Sequence, residues 1–212
     1  MGQKAGRAVN ATINTVGGYL TLNVLWLLSV LLVFTSFAGT AAAFRVIRSW
    51  SRSSGTDPYC ARPFLLELRE AFAQATRIGL LLLASWGLLI LGAFGLARIS
   101  PGVPIWLLIA LPAVLLAGAT AFIWPVQADY DIKDRLLWRT ASILGMGHPL
   151  VLATSAAIGA GGMAIVISAP VTALLLPAPM MAACYAICHR ALNKSLSGRS
   201  VAAPTVEGRN ES

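Results

Sequence analysis

Long charge-free stretches alternate with short polar ones along this chain: no Asp, Glu, Lys or Arg occurs in residues 8–44, 78–97, 99–128 or 140–189. About 20 apolar residues cross a bilayer as a helix, so each stretch can hold a crossing and the last can hold two. The pattern predicts spans at 16–37, 78–97, 105–126, 149–167 and 171–189, an all-α, five-helix transmembrane bundle. Ser168, Ala169 and Pro170 supply the turn between the last two spans, and residues 100–104 a shorter turn between the second and third. Pro112 and Pro125 predict kinks in span three, and Pro177 and Pro179 a bend in span five. Span four is dominated by small residues, among them Ala153, Ala157, Gly159, Gly161 and Gly162. Helices in lipid associate through close backbone contact, so span four is expected at the centre of the bundle.

The polar segments between the spans predict amphipathic connectors. Gly39 and Thr40 can loosen or turn the first helix, after which a second short helix carries Arg45, Arg48 and Arg52 on one face. Residues 51–58 read as a loop. From Pro63 a helix begins with Phe64, Leu65, Leu68 and Phe72 in one stripe and Glu67, Arg69, Glu70 and Gln74 on the polar side. In the second connector, 129–139, Asp129/Lys133 and Asp131/Arg135 are favourable i,i+4 pairs, which read as a solvated helical turn. Residues 1–194 form one transmembrane domain, and 195–212, rich in Ser, Gly and Pro, reads as a disordered tail.

Composition agrees with the pattern. The chain is 57% hydrophobic and only 11% charged, against about 25% charged in soluble domains, which excludes a single soluble domain. Its net charge of +8 sits beside spans and accompanies no nucleic-acid motif, so no nucleic-acid partner is expected. With five spans, thirteen Lys and Arg fall on one side and three on the other. The excess marks the cytoplasm, placing the C-terminus inside and the N-terminus outside. In the rival arrangement Gly39 begins a re-entrant segment or second crossing, and the N-terminus moves inside. Lys4 and Arg7 before an apolar run imitate a secretory signal, but the run exceeds the about 7–15 residues of a signal core; it reads as an uncleaved first span.

Candidate chemistry is sparse. Cys60, Cys184 and Cys188 read as small buried hydrophobes. Cys184, Cys188 and His189 fall one short of the four ligands that a closed zinc site needs, and His148, which could be the fourth, reads as a helix-entry residue before Pro149, so no metal or cofactor is expected. Phosphate-binding Gly-rich loops, HExxH and GxSxG are missing from the sequence, and no enzyme is expected. No acidic residue falls inside a predicted span, which counts against ion-coupled transport. Asn23 is the notable intramembrane polar residue and reads as an interhelical hydrogen bond. Arg45, Arg48 and Arg52, with Phe64, Leu68 and Phe72, read as a cytoplasmic surface for lipid headgroups or a partner.

The series Asn23-Val24-Leu25-Trp26-Leu27-Leu28, then Thr35, then Gly39-Thr40-Ala41-Ala42-Ala43-Phe44, then Val46 and Arg48 resembles the YesL family, bacterial membrane proteins of unknown function. Thr40 stands where that pattern usually has Pro. The resemblance extends over roughly 12–194. It implies a role beside carbohydrate-uptake systems: a non-enzymatic accessory, with the permease of a sugar importer as partner and the bilayer as surroundings. A small permease or conduit is the alternative. No catalytic residue or cofactor comes with the resemblance.

Overall fold

The structure, a computed structural model, describes residues 2–32, 35–53, 56–99, 103–130, 134–169, 171–172 and 175–200. Among these residues there are helices and no strand: α1 (Gly2–Leu31), α2 (Ser36–Ser53), α3 (Ala61–Ile99), α4 (Val103–Asp129), α5 (Asp134–Gly147), α6 (Pro149–Ser168) and α7 (Pro177–Ser200). Stretches within α1, α3, α4 and α6 are long and apolar enough to cross a membrane: Val9–Leu31, Ala61–Leu96, Ile109–Asp129 and Pro149–Ser168. The architecture is therefore that of an all-helical, polytopic membrane protein.

The helix bounds differ from those expected at both ends of the chain. α1 begins at Gly2 and ends at Leu31, short of the expected 37, because the chain turns at Leu32 and Thr35 before α2. α7 begins at Pro177, whose fixed φ suits the first position of a helix. It then runs through Lys194 to Ser200, so the first residues of the expected tail are helical. Residues 201–212 of that tail, the 100–102 part of the first hairpin turn, Pro170, Asp131 and Lys133 lie outside the described residues.

Helix α2 occupies the centre. Its buried positions are Ala38, Gly39, Ala41, Ala42, Ala43, Phe44, Val46, Ile47 and Trp50, and it packs on α1, α3, α4 and α7. Small side chains allow that approach. Ala38 and Ala41 of α2 meet Ala71 and Ala75 of α3 in one buried cluster. Gly39 faces Ser29 of α1, whose Cβ would lie 2.6 Å from a Cβ added at Gly39. A larger cluster below joins Leu22, Phe44, Trp50, Cys60, Phe64 and Tyr185.

Helix α6, expected at the centre, lies at the periphery. Only 12% of its apolar window is buried; Gly159 and Gly161 have nothing within 4 Å of an added Cβ. Gly162 alone of the three is tucked against a neighbour, the flexible end of Met180. Its small residues thus line a largely open surface, whereas those of α2 make the close contacts.

The first two helices form an antiparallel hairpin. Ser29 lies against Gly39, Trp26 Nε1 donates to Thr40 Oγ1 at 3.1 Å, Tyr19 meets Trp50 edge-on at 5.4 Å, and Thr56 bonds Thr15 at 3.0 Å. The beginning of α1 therefore lies at the same end of the molecule as Arg48 and Arg52. This corrects the expectation that the N-terminus and those arginines are on opposite sides. The charge-free run 8–44 is not one crossing: its last quarter is the first half of α2, folding back along α1.

Helix α3 carries its amphipathic entry and its apolar run as one continuous element. Helix α4 packs on it and ends at Asp129 beside the end of α2. Pro112 and Pro125 both sit inside α4. The short α5 returns along α4, where Gly145 and Gly118 approach so closely that a Cβ on Gly145 would lie 2.7 Å from the Gly118 Cα.

Candidate functional site

The polar side chains gather where α2, α3, α4 and α7 meet. Asp129 ends α4, and its side chain is only 6% exposed. Burying a carboxylate is costly unless it is paired and hydrogen-bonded, and four side chains answer it. Tyr185 Oη donates to Oδ1 at 2.8 Å. His189 Nδ1 lies 3.2 Å from Oδ2, while Arg48 Nε and Arg52 Nη2 stand 3.7 and 3.9 Å from Oδ1. An ionised carboxylate only accepts, so the proton of the His189 contact sits on Nδ1; Asn193 Nδ2, 3.2 Å from Nε2, holds the far side of the ring. Arg48 Nη1 also donates to the carbonyl of Ala128. This network ties α2 and α7 to the end of α4.

The expectation for Asp129 was a solvated turn paired with Lys133. Its burial corrects that reading: α7, distant in sequence, covers the helix end. Asp129 is the last residue of the apolar stretch Ile109–Asp129, three residues past the expected span 105–126.

Across Arg48 from this network is a polar cavity of about 310 Å³ between α2, α3 and α4, lined by Arg45, Arg48, Glu67, Glu70, Gln74 and Gln127. Arg45 Nη1 donates to Glu67 Oε2 at 2.9 Å. Asp134 of α5 accepts from Gln74 Nε2 at 3.0 Å, and Gln74 Oε1 accepts from Gln127 Nε2 at 3.3 Å. Gln127 is 3% exposed, and its Oε1 has no hydrogen-bond partner among the described residues. A second, apolar cavity of about 520 Å³ lies between α3, α4 and α5, walled by residues such as Leu88, Leu89, Leu115 and Trp138.

The motif residues of the first two helices come together as a structural joint. Trp26 bonds Thr40; Thr35 Oγ1 donates to the Ser29 carbonyl at 2.6 Å; and Gly39 makes room for Ser29. Asn23 is fully buried, and its Oδ1 accepts the backbone N–H of Ala178 at 2.6 Å. It thereby satisfies one of the orphan donors at the start of α7 from a different helix. The expected interhelical bond is present, although its partner is backbone.

The expected basic and apolar surface does not assemble. Arg45, Arg48 and Arg52 are engaged by Glu67 and Asp129. Phe64 is 1% exposed in the core and Leu68 packs against it; Phe72 remains exposed, as do Leu65 and Leu66. The stripe turns inward because α2 supplies an apolar surface for it. Nor do Cys184, Cys188, His189 and His148 make a metal centre: among the described residues no group of three or more potential ligands assembles. His189 turns to Asp129, and His148 precedes Pro149 at the start of α6.

Residues 19–93 match a family described as a protein of unknown function, DUF624. The chain is also 26% identical over 157 residues to the uncharacterized protein YesL of Bacillus subtilis (strain 168), covering 73% of this chain and 74% of that protein. No solved structure matches. The family match spans α2 whole, with the α1 residues that face it and most of α3, so the buried joint lies inside it. Over the matched residues the chain is thus similar to a family of unknown function and to an uncharacterized relative.

Proposed function

We propose, on the premise that this is a YesL-like chain, that it is a non-enzymatic accessory of a solute-uptake system in the bacterial plasma membrane. By the resemblance, the transported solute is a carbohydrate. The observation that carries this reading is the packed interior. A conduit needs a polar path through the bundle, yet beyond the polar cavity the α2–α3 contact is the alanine cluster of Ala38, Ala41, Ala71 and Ala75. Asp129 is held by four side chains from two helices, an arrangement suited to fixing helices together.

In this proposal the polar end bearing Arg48 and Asp129 faces the cytoplasm, as the positive-inside rule favours. Pairing α1 with α2 strengthens the asymmetry, because Lys4 and Arg7 join Arg45, Arg48 and Arg52 at that end. The surface offered to a permease is the exposed Leu65, Leu66 and Phe72 of α3, replacing the stripe whose other members are buried.

A photo-cross-linker at position 65, in native membranes, tests the partner. Capture of an importer's permease subunit, with sugar uptake lost on deletion of this chain and restored by its return, is the expected result. Sugar flux through vesicles containing the purified chain alone would overturn it in favour of a conduit. So would unchanged uptake after deletion.

A further inference from the structure

The polar cavity has an acceptor to spare, and a chain of hydrogen bonds shows which atom it is. The Asp134 carboxylate can only accept, so the Gln74 amide must present Nε2 to it. Gln74 Oε1 is then the atom facing Gln127, which must present its own Nε2. Among the described residues Gln127 Oε1 is left over, on a residue 3% exposed that lines the cavity, and a buried acceptor calls for a donor.

The charges around it are balanced. Arg45 and Arg48 face Glu67 and Glu70; Glu67 is taken by Arg45, and no ion pair engages Glu70 among the described residues. A guanidinium carries five N–H donors, so each arginine retains donors beyond its bonds to protein. A simple anion would meet Glu67 and Glu70, and a simple cation would meet the two arginines. A zwitterion satisfies both sets: a primary ammonium donates to Gln127 Oε1 and Glu70, and an anionic group accepts from the guanidiniums. A quaternary ammonium has no N–H to give Gln127.

Position identifies the source. The apolar stretch of α4 ends at Asp129, two residues past Gln127. On α3, Glu67, Glu70 and Gln74 precede the charge-free run 78–97. The cavity therefore sits at the level of the lipid headgroups. Its about 310 Å³ falls at the lower end of the about 300–1,000 Å³ typical of ligand pockets.

We propose that this cavity binds the headgroup of a phosphatidylethanolamine lipid, with the ammonium on Gln127 and Glu70 and the phosphate on Arg45 and Arg48. The inference is independent of the accessory role. Its test uses the purified full chain in detergent, titrated with short-chain phosphatidylethanolamine, phosphatidylcholine and phosphatidylglycerol, and with free phosphoethanolamine. Bound lipid is read by native mass spectrometry.

Phosphatidylethanolamine should bind about tenfold more tightly than either other lipid, the size expected of one hydrogen bond between an ionised group and a buried partner. Gln127→Leu and Glu70→Gln should each remove that preference. Glu70 is exposed, so its variant keeps the test valid should Gln127→Leu fail to fold. Equal binding of phosphatidylcholine, stronger binding of phosphatidylglycerol, or a preference unchanged in Glu70→Gln would overturn the proposal. Free phosphoethanolamine binding as tightly as the lipid would overturn it too, pointing to a soluble zwitterion.

Discussion

Gly39 illustrates how a single atom decides packing. A methyl group there would collide with the Ser29 side chain, and with its Cβ at 2.6 Å. Gly39→Ala should therefore lower stability by about 1–3 kcal/mol, the usual cost of overpacking, measured as a lower melting temperature in detergent. Removing the obstacle should reverse it: Ser29→Gly combined with Gly39→Ala should recover much of the loss. Asp129 is a second such residue. Asp129→Asn keeps its shape but removes the charge answering Arg48 and Arg52, and should cost about 1–3 kcal/mol. Weakened attachment of α7 should show as faster amide exchange around Tyr185 and His189. Asn23, Trp26 and Gly39 were legible in the sequence because an amide, an indole and a glycine in an apolar run need a structural reason. Asp129 was not. Local spacing offered it Lys133, and nothing local announces that a helix from the far end of the chain will cover it.

At the scale of the element, α2 and α6 exchange the places their compositions suggest. Hydropathy ranks a helix by its affinity for lipid, and by that measure α6 qualifies as a span while α2 does not. An interior helix needs small side chains and partners for its charges instead, which α2 has in its alanines and in Glu67 and Asp129. Gly161→Leu should accordingly change stability by less than about 0.5 kcal/mol, as substitutions at open positions do. A large drop in melting temperature would show that the α6 surface is packed after all. The apolar stretches within α1, α4 and α6 lie within several residues of the expected spans, since about 20 apolar residues is the length that a bilayer sets. The stretch in α3 begins at Ala61 rather than 78, because the amphipathic connector runs into it as one helix. The boundary between α1 and α2 was not legible, since no charge separates an apolar helix from the apolar half of the next.

For the molecule as a whole, the α1–α2 hairpin sets sidedness. Cysteines introduced at Val9 and Thr56 should react with a membrane-impermeant maleimide from one side of sealed vesicles, and one at Arg98 from the other. Labelling of positions 9 and 56 from opposite sides would contradict the hairpin. The native Cys60 should contribute little background: it is 1% exposed, and burial pushes its thiol above the usual range, so less of it is the reactive thiolate.

The central position of α2 also constrains the order in which the chain can be made. Arg45 and Arg48 are partly buried against carboxylates, a charge buried without its partner is costly, and α2 leaves the ribosome before either of its counter-charges exists. Glu67 belongs to α3 and Asp129 to the end of α4, so α2 must wait at the surface until both have been synthesised. A nascent chain arrested soon after Ser53 should have α2 open to added protease, and one arrested well beyond Asp129 should have it protected. The second helix to be translated would then find its place only after the fourth.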